Sequence, residues 1–276
     1  MTLQIVLLGL LMTVLSVGRA FAIKEGMQRG YSANDVTFSS AVILVAVYFL
    51  ILPLKGFGEF PPTAMAGCIV KGMFLYFSVK LAALVSKGSN STGAFMGFIG
   101  LGIAALINSE LLGENLTWLQ LISCVGMGIL GLIFFLRGAA KELNAKTKKL
   151  AVLFMLSIVG CITTDRFTMQ YTGWYEYSFV SNFAFFIITL FTIRSVKPLQ
   201  TFSFPLMWII GLLVTVRELA IFYGYQFTGV SVGAVFINIS VPIIMVMSSV
   251  IYKERTPKEQ LIFGALAFAL VMPLFI

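Results

Sequence analysis

The chain has no histidine, and only three of its 276 residues are cysteine. Without imidazole there is no Ser-His or Cys-His nucleophile pair and no histidine-based zinc site. Cys68, Cys124 and Cys161 lie in apolar stretches without the spacing of a metal site, so they are expected to pack. Charge is scarce too. Asp, Glu, Lys and Arg make up 11% of the residues, against roughly 25% in an ordinary globular protein. So few charges cannot cover a water-facing surface. These shortages argue against a soluble enzyme, a nucleic-acid-binding module and a disordered chain. They point to no metal and no cofactor.

What the chain has in abundance is apolar residues, at 59%, with a mean hydropathy of +0.99. A membrane-spanning helix takes roughly 20 apolar residues, and ten would use about 200. The remainder makes short joints and leaves no room for a soluble domain. Hydrophobic runs divided by Pro, Gly or charge clusters predict ten segments, at about 3–26, 35–54, 63–84, 92–111, 117–136, 149–169, 176–194, 204–225, 230–251 and 259–276. The first has no Lys or Arg before Arg19, which reads as a spanning helix and not as a cleaved signal. The expected fold class is an all-α membrane protein, and helices satisfy the backbone internally as hydrocarbon demands.

The two halves of the sequence repeat each other. At an offset of 140, Gly93, Ala94, Ile99, Ser109 and Glu114 are answered by Gly233, Ala234, Ile239, Ser249 and Glu254, and Gln120-Leu121-Ile122 by Gln260-Leu261-Ile262. At an offset of 142, Val17-Gly18, Lys24 and Met27-Gln28 meet Val159-Gly160, Arg166 and Met169-Gln170. At 146, Val70-Lys71 and Phe77 meet Val216-Arg217 and Tyr223. Polar matches at near-constant offset are not a by-product of hydrophobicity. The halves, 1–140 and 141–276, each hold five predicted spans. Five is odd, so the second half enters the membrane from the opposite side. The expectation is ten transmembrane helices as two inverted five-helix repeats, an arrangement typical of transporters that rock around a site near the midplane.

Along its whole length this layout resembles the drug/metabolite transporter superfamily, in its ten-helix EamA-like branch. The similarity is carried by the end of each half: a small-residue helix, an acid at Glu114 or Glu254, then Gln120 or Gln260 leading the last helix. Pro242, twelve residues before Glu254, also follows that pattern. The chain departs from it at Leu101, and at Ser16-Val17-Gly18, where Trp-Gly is frequent in the family. The resemblance implies a metabolite transporter, with a leaning towards export, and leaves the substrate open.

The net charge of +8 follows from an excess of Lys and Arg in alternate joints. Arg29, Lys87, Arg137, Lys141, Lys146, Lys148, Lys149, Arg194, Lys197, Lys253, Arg255 and Lys258 fall on one side, and Lys55 alone on the other. The positive-inside tendency puts the basic joints in the cytoplasm and both termini outside. The resemblance implies cytoplasmic termini, and the charge count is preferred because it belongs to this chain. The expected location is the cell (inner) membrane, multi-pass, as a monomer or homodimer.

Charges inside spans cost about 2.5–3.5 kcal/mol each and normally face a cavity or a partner. Lys71 and Arg217 hold matching places in the third and eighth segments, on opposite expected walls of one cavity, where they would favour a carboxylate or phosphate. Pairing of Arg217 with an acid, Asp165 foremost, is the structural alternative. Arg19 breaks the repeat, facing Cys161 across it, and is a substrate-binding candidate or an end-of-helix charge. Asp165 and Glu218 are proton-coupling candidates; Arg166 could hold Asp165 ionised. Arg217 and Glu218, being adjacent, point about 100° apart and are not expected to bond each other. Lys24 and Lys80 are expected to snorkel.

Tyr76, Phe77, Phe222 and Tyr223 sit near the two cations in sequence and could stack a planar substrate or clamp a cation, the alternative being a lipid-facing or core place. Trp174, Tyr175 and Tyr177 read as an interfacial belt. Gly93, Gly97, Gly100 and Ala104 make a small packing face, and Glu114 and Glu254 are expected at the starts of the helices that follow them. The expected function is a secondary transporter, not an enzyme, moving a small organic metabolite with an anionic group through a central cavity. The alternatives are a proton-coupled exporter of cationic drugs or amines, and a lipid-type flippase.

Overall fold

The computed structural model describes residues 3–58, 60–88, 90–139, 144–193, 196, 198–253 and 257–271. The chain is an all-α, multi-pass membrane protein. Its helices are α1 (Leu3–Gln28), α2 (Ala33–Lys55), α3 (Pro62–Gly88), α4 (Asn90–Glu110), α5 (Trp118–Phe134), α6 (Ala145–Thr168), α7 (Trp174–Thr192), the short α8 (Pro198–Phe202), α9 (Pro205–Thr228), α10 (Val230–Asn238), α11 (Ser240–Ile251) and α12 (Pro257–Val271). A π-helical turn, Phe135–Ala139, prolongs α5. Among the described residues, eight helical stretches, with α10 and α11 counted as one, are long and apolar enough to cross a membrane. The segment Ile262–Val271 of α12 is a shorter apolar helix. The 19-residue α7 is not among the eight, its first half being diluted by Glu176, Ser178, Ser181 and Asn182.

The joints are built by local chemistry. Ser32 and Asp35 form a reciprocal capping box at the start of α2, and Thr117 and Gln120 another at the start of α5. Asn144 caps α6 through the Thr147 N–H. Gly229, at φ +75°, turns the chain between α9 and α10, a conformation that suits glycine because it has no Cβ. The segment predicted as one helix over 230–251 is broken at Ile239, between α10 and α11. Pro242 has no N–H to donate to Asn238 four residues back, and its ring crowds that carbonyl.

The bundle is turned inside out relative to a soluble protein. Leu7, Leu10, Leu11 and Val14 of α1, and Ile122, Ile129 and Ile133 of α5, are exposed to the surrounding hydrocarbon. The buried face of α7 carries Tyr177, Ser178, Ser181, Asn182 and Thr189. With lipid outside, close contact and hydrogen bonds hold helices together instead of hydrophobic exclusion. A Cβ placed on Gly102 of α4 would lie 2.9 Å from the Gly128 Cα of α5. One placed on Gly72 of α3 would lie 2.8 Å from the Ala184 Cβ of α7. The small face of α4 is divided: Gly93 and Gly97 border a cavity, and Gly100 meets Ile158 of α6.

Helix α3 packs on α6 and α7, and α9 packs on α1 and α2. Helix α4 packs on α5 and α6, while α10 and α11 contact α1 and α4. The pairs α2 with α7 and α5 with α12 flank this arrangement. The cavity lies where α1, α3, α4, α6, α9, α10 and α11 converge.

Candidate functional site

The central cavity encloses about 1210 Å³, counting the space at its mouth. Its lining begins at the α3–α4 turn, with Ser86 and Gly93, and continues inward to Asp165 and Tyr225, each three residues from the far end of its helix. Ser16, Ser78, Asn238 and Ser240 supply hydroxyl and amide groups, and Ile23, Leu75, Ile158, Ile221 and Ile244 supply apolar wall. Asn238 and Ser240 stand on either side of the break between α10 and α11. A helix interrupted at a cavity is a recurrent way of presenting polar groups inside a membrane.

All five charged candidates, Arg19, Lys71, Asp165, Arg217 and Glu218, border this one cavity. They are neutralised unequally. Lys71 Nζ lies 2.6 Å from Asp165 Oδ1, with the two side chains only 4% and 3% exposed. The Tyr177 hydroxyl donates to the same carboxylate oxygen at 2.5 Å, and the ammonium stands 5.4 Å from the Phe222 ring centre. This pair ties α3 of the first half to α6 of the second. Arg217 NH1 donates to Glu218 Oε1 at 2.9 Å, and its Nε donates to the Ser16 hydroxyl at 2.9 Å. This corrects the expectation that adjacent residues would point apart, because the long guanidinium stem curls back over the helix to reach its neighbour. Asp165 is taken by Lys71, so Arg217 does not pair with it.

Arg19 has no ion pair among the described residues, and its Nε is buried with no hydrogen-bond partner. Three cations therefore face two acids, each acid is bonded to one cation, and Arg19 keeps its charge uncompensated by a direct partner.

Other sequence candidates lie elsewhere. Tyr76 is buried away from the cavity and accepts a hydrogen bond from Lys80 Nζ at 2.8 Å. Phe77 is 48% exposed on the outer face. Phe222 is fully buried edge-on to Tyr177, and Tyr223 accepts from Gln4 and packs on Trp174 and Phe227. None of the four borders the cavity. Spacing beyond a cation gives distance along a helix and not the face. Tyr225, not singled out from sequence, does border it.

Further departures share a cause, namely which helix faces meet. Arg166 turns away from Asp165 and donates to the Gly113 carbonyl at 3.0 Å. Tyr175 and Tyr177 are buried between helices and are not belt residues. Lys24 does not snorkel: it is buried with its ammonium 4.4 Å from the Tyr252 ring centre. Glu114 does not serve the helix that follows it. Its carboxylate accepts the Ser231 N–H at 3.0 Å and the Ser231 hydroxyl at 2.5 Å, capping α10 of the other half. Asn108 adds a bond to Ser231 at 3.1 Å. Glu254 lies outside the described residues.

No family model and no curated protein matches the chain. A solved structure described only as "Crystal structure of protein" superposes on it with a TM-score of 0.65 at 14% identity, covering 98% of this chain and 95% of its own. At that identity the likeness is one of fold.

Proposed function

We propose that this protein is a secondary transporter of the drug/metabolite type, exporting a small organic metabolite with an anionic group through the central cavity. The observation that carries it is the guanidinium of Arg19, bordering a space of about 1210 Å³ with no acid bonded to it. In a low-dielectric surround a fixed cation with a free donor favours a carboxylate or phosphate over any neutral or cationic ligand. The rival amine exporter needs an unpaired acid in the cavity, and Asp165 and Glu218 are both bonded to cations. A flippase needs a sideways opening for acyl chains.

Two inverted five-helix repeats, giving ten crossings, supply the mechanism. The reading is supported by the main helix contacts, which match when the halves are exchanged. The contacts of α3 with α6 and α7 become those of α9 with α1 and α2, and α4 with α5 becomes α11 with α12. Rocking of one half against the other would then expose the site alternately. The positive-inside count puts the α3–α4 turn in the cytoplasm of the inner membrane, so the cavity lining reaches the cytoplasmic side. Glu218, the more exposed of the two acids, is where a coupling proton would act.

The test is thermal stabilisation of the purified protein by matched sets of carboxylates, phosphates and amines. Stabilisation by an anion, lost in Arg19→Gln, is expected. Arg19 has no partner to strand, so this variant should fold. Stabilisation by amines alone would overturn the proposal.

A further inference from the structure

Beyond Tyr225, on the face that carries the α4–α5 and α6–α7 turns, lies a second pocket of about 750 Å³, bordered by Arg166, Thr172, Trp174, Tyr225, Gln226 and Gly229, among others. Tyr225 borders both this pocket and the central cavity. It is the residue that the two share.

Two residues on this pocket carry a buried donor without a hydrogen-bond partner. Arg166 spends one terminal nitrogen on the Gly113 carbonyl at 3.0 Å, while its Nε is buried with no partner. The Thr172 hydroxyl is also buried with no partner. Buried polar groups left unsatisfied are uncommon and ask for a reason. The acids nearby keep their charge but bond other donors: Glu114 accepts from Ser231, and Glu176 accepts from the Gly58 N–H at 3.1 Å. Neither forms an ion pair with Arg166 among the described residues. Lys55, the sole cation that the sequence places in a joint on this side, holds its ammonium 5.7 Å from the Trp174 ring centre. Arg166 also answers Lys24 at an offset of 142 in the sequence repeat, so a cation occupies the matching position in each half.

We infer that Arg166 and Thr172 form an outer anion-binding station, separated from the Arg19 cavity at Tyr225, where a carboxylate or phosphate rests as it enters or leaves. For its ligand class this rests on the anion transport proposed above. An anion leaving Arg19 would pass Tyr225 and meet a guanidinium with a free donor, instead of crossing a stretch without compensation. Such a pair of stations lowers the electrostatic barrier between the two faces, in the way that multi-site occupancy does in channels.

The experiment uses the full chain with Cys68, Cys124 and Cys161 replaced by Ala and with Thr172→Cys introduced. Its labelling rates are measured with anionic 2-sulfonatoethyl and cationic 2-(trimethylammonio)ethyl methanethiosulfonate, each divided by the rate for a small free thiol. The expected anion preference is about tenfold, from one guanidinium at close range in a partly buried site. It should fall to near one in Arg166→Gln and persist in Arg166→Lys. Equal normalised rates with Arg166 present, a preference indifferent to Arg166→Gln, or a thiol inert to both reagents would each overturn the outer station. The central cavity is read separately in a chain that keeps Cys161 and lacks Thr172→Cys. An Arg19-dependent anion preference there, without one at position 172, leaves the transport proposal standing and removes this one.

Discussion

Lys71 and Arg217 occupy matching positions in the two halves, yet their bonds differ. Lys71 crosses to the other half, meets Asp165 and is 4% exposed. Arg217 takes its acid from the next residue, reaches the other half only through a neutral hydrogen bond to Ser16, and keeps 15% of its side chain exposed. One cation is a clamp between halves. The other is bonded within the cavity wall, alongside Arg19, which has no ion pair among the described residues. A sequence repeat therefore fixes where charges sit and leaves open what each one does, because function in such a scaffold lives in the departures from symmetry.

The largest effect should come from breaking the clamp. Lys71→Ala or Asp165→Ala strands a buried charge, and we expect each to lose about 3–5 kcal/mol of stability. Lys71→Met with Asp165→Leu together should recover most of it, as chemical denaturation in detergent would show. A double variant whose loss equals the sum of the two single losses would mean that the pair is not coupled.

Next is Arg19→Gln. It should leave stability nearly unchanged and weaken the stabilising anion by about 1.5–3 kcal/mol, the range for a hydrogen bond to a charged group. Titration of binding by calorimetry measures it. A loss of stability as large as that of Lys71→Ala would place Arg19 in the framework and not in the site.

A smaller change is expected at the far end of the molecule. Glu114→Ala removes a helix cap, worth about 1 kcal/mol, and it also removes a contact between halves. Hydrogen exchange at the start of α10 should rise while α5 is unaffected. Faster exchange in α5 instead would restore the sequence-based placement of Glu114.

The smallest effect belongs to Glu218→Gln, which frees Arg217 and should tighten anion binding a few-fold with little loss of stability. If Glu218 carries the coupling proton, transport in that variant no longer follows a pH gradient. Unchanged coupling there and in Asp165→Asn would remove the proton from the mechanism.

The sequence made the helices legible because hydrocarbon imposes a one-dimensional rule: a long apolar run bounded by polar joints. It placed Arg19, Lys71, Asp165, Arg217 and Glu218 inside spans by the same rule, since charges there need an interior address. It could not assign partners. Whether Asp165 meets Lys71, Arg166 or Arg217 depends on which faces of α3, α6 and α9 oppose each other, and hydropathy carries no such information. The aromatics failed for a related reason. Among 26 phenylalanines, neighbourhood to a cation along the chain does not separate Phe77 on the outer surface from Tyr225 on the cavity. The break before α11 was not read from hydropathy, which makes 230–251 one run; the missing donor of Pro242 and its crowding of Asn238 account for it. The reach of Glu114 to Ser231 had no local signal, because it joins two turns 117 residues apart.

Tracer counterflow in proteoliposomes tests the proposal most directly, with vesicles loaded with the anion that best stabilises the purified protein. We predict uptake of labelled anion in the unaltered protein and its collapse in Arg19→Gln, with both proteins equally folded. Counterflow that persists undiminished in Arg19→Gln, or is carried by amines and not by anions, would contradict an anion path through this cavity.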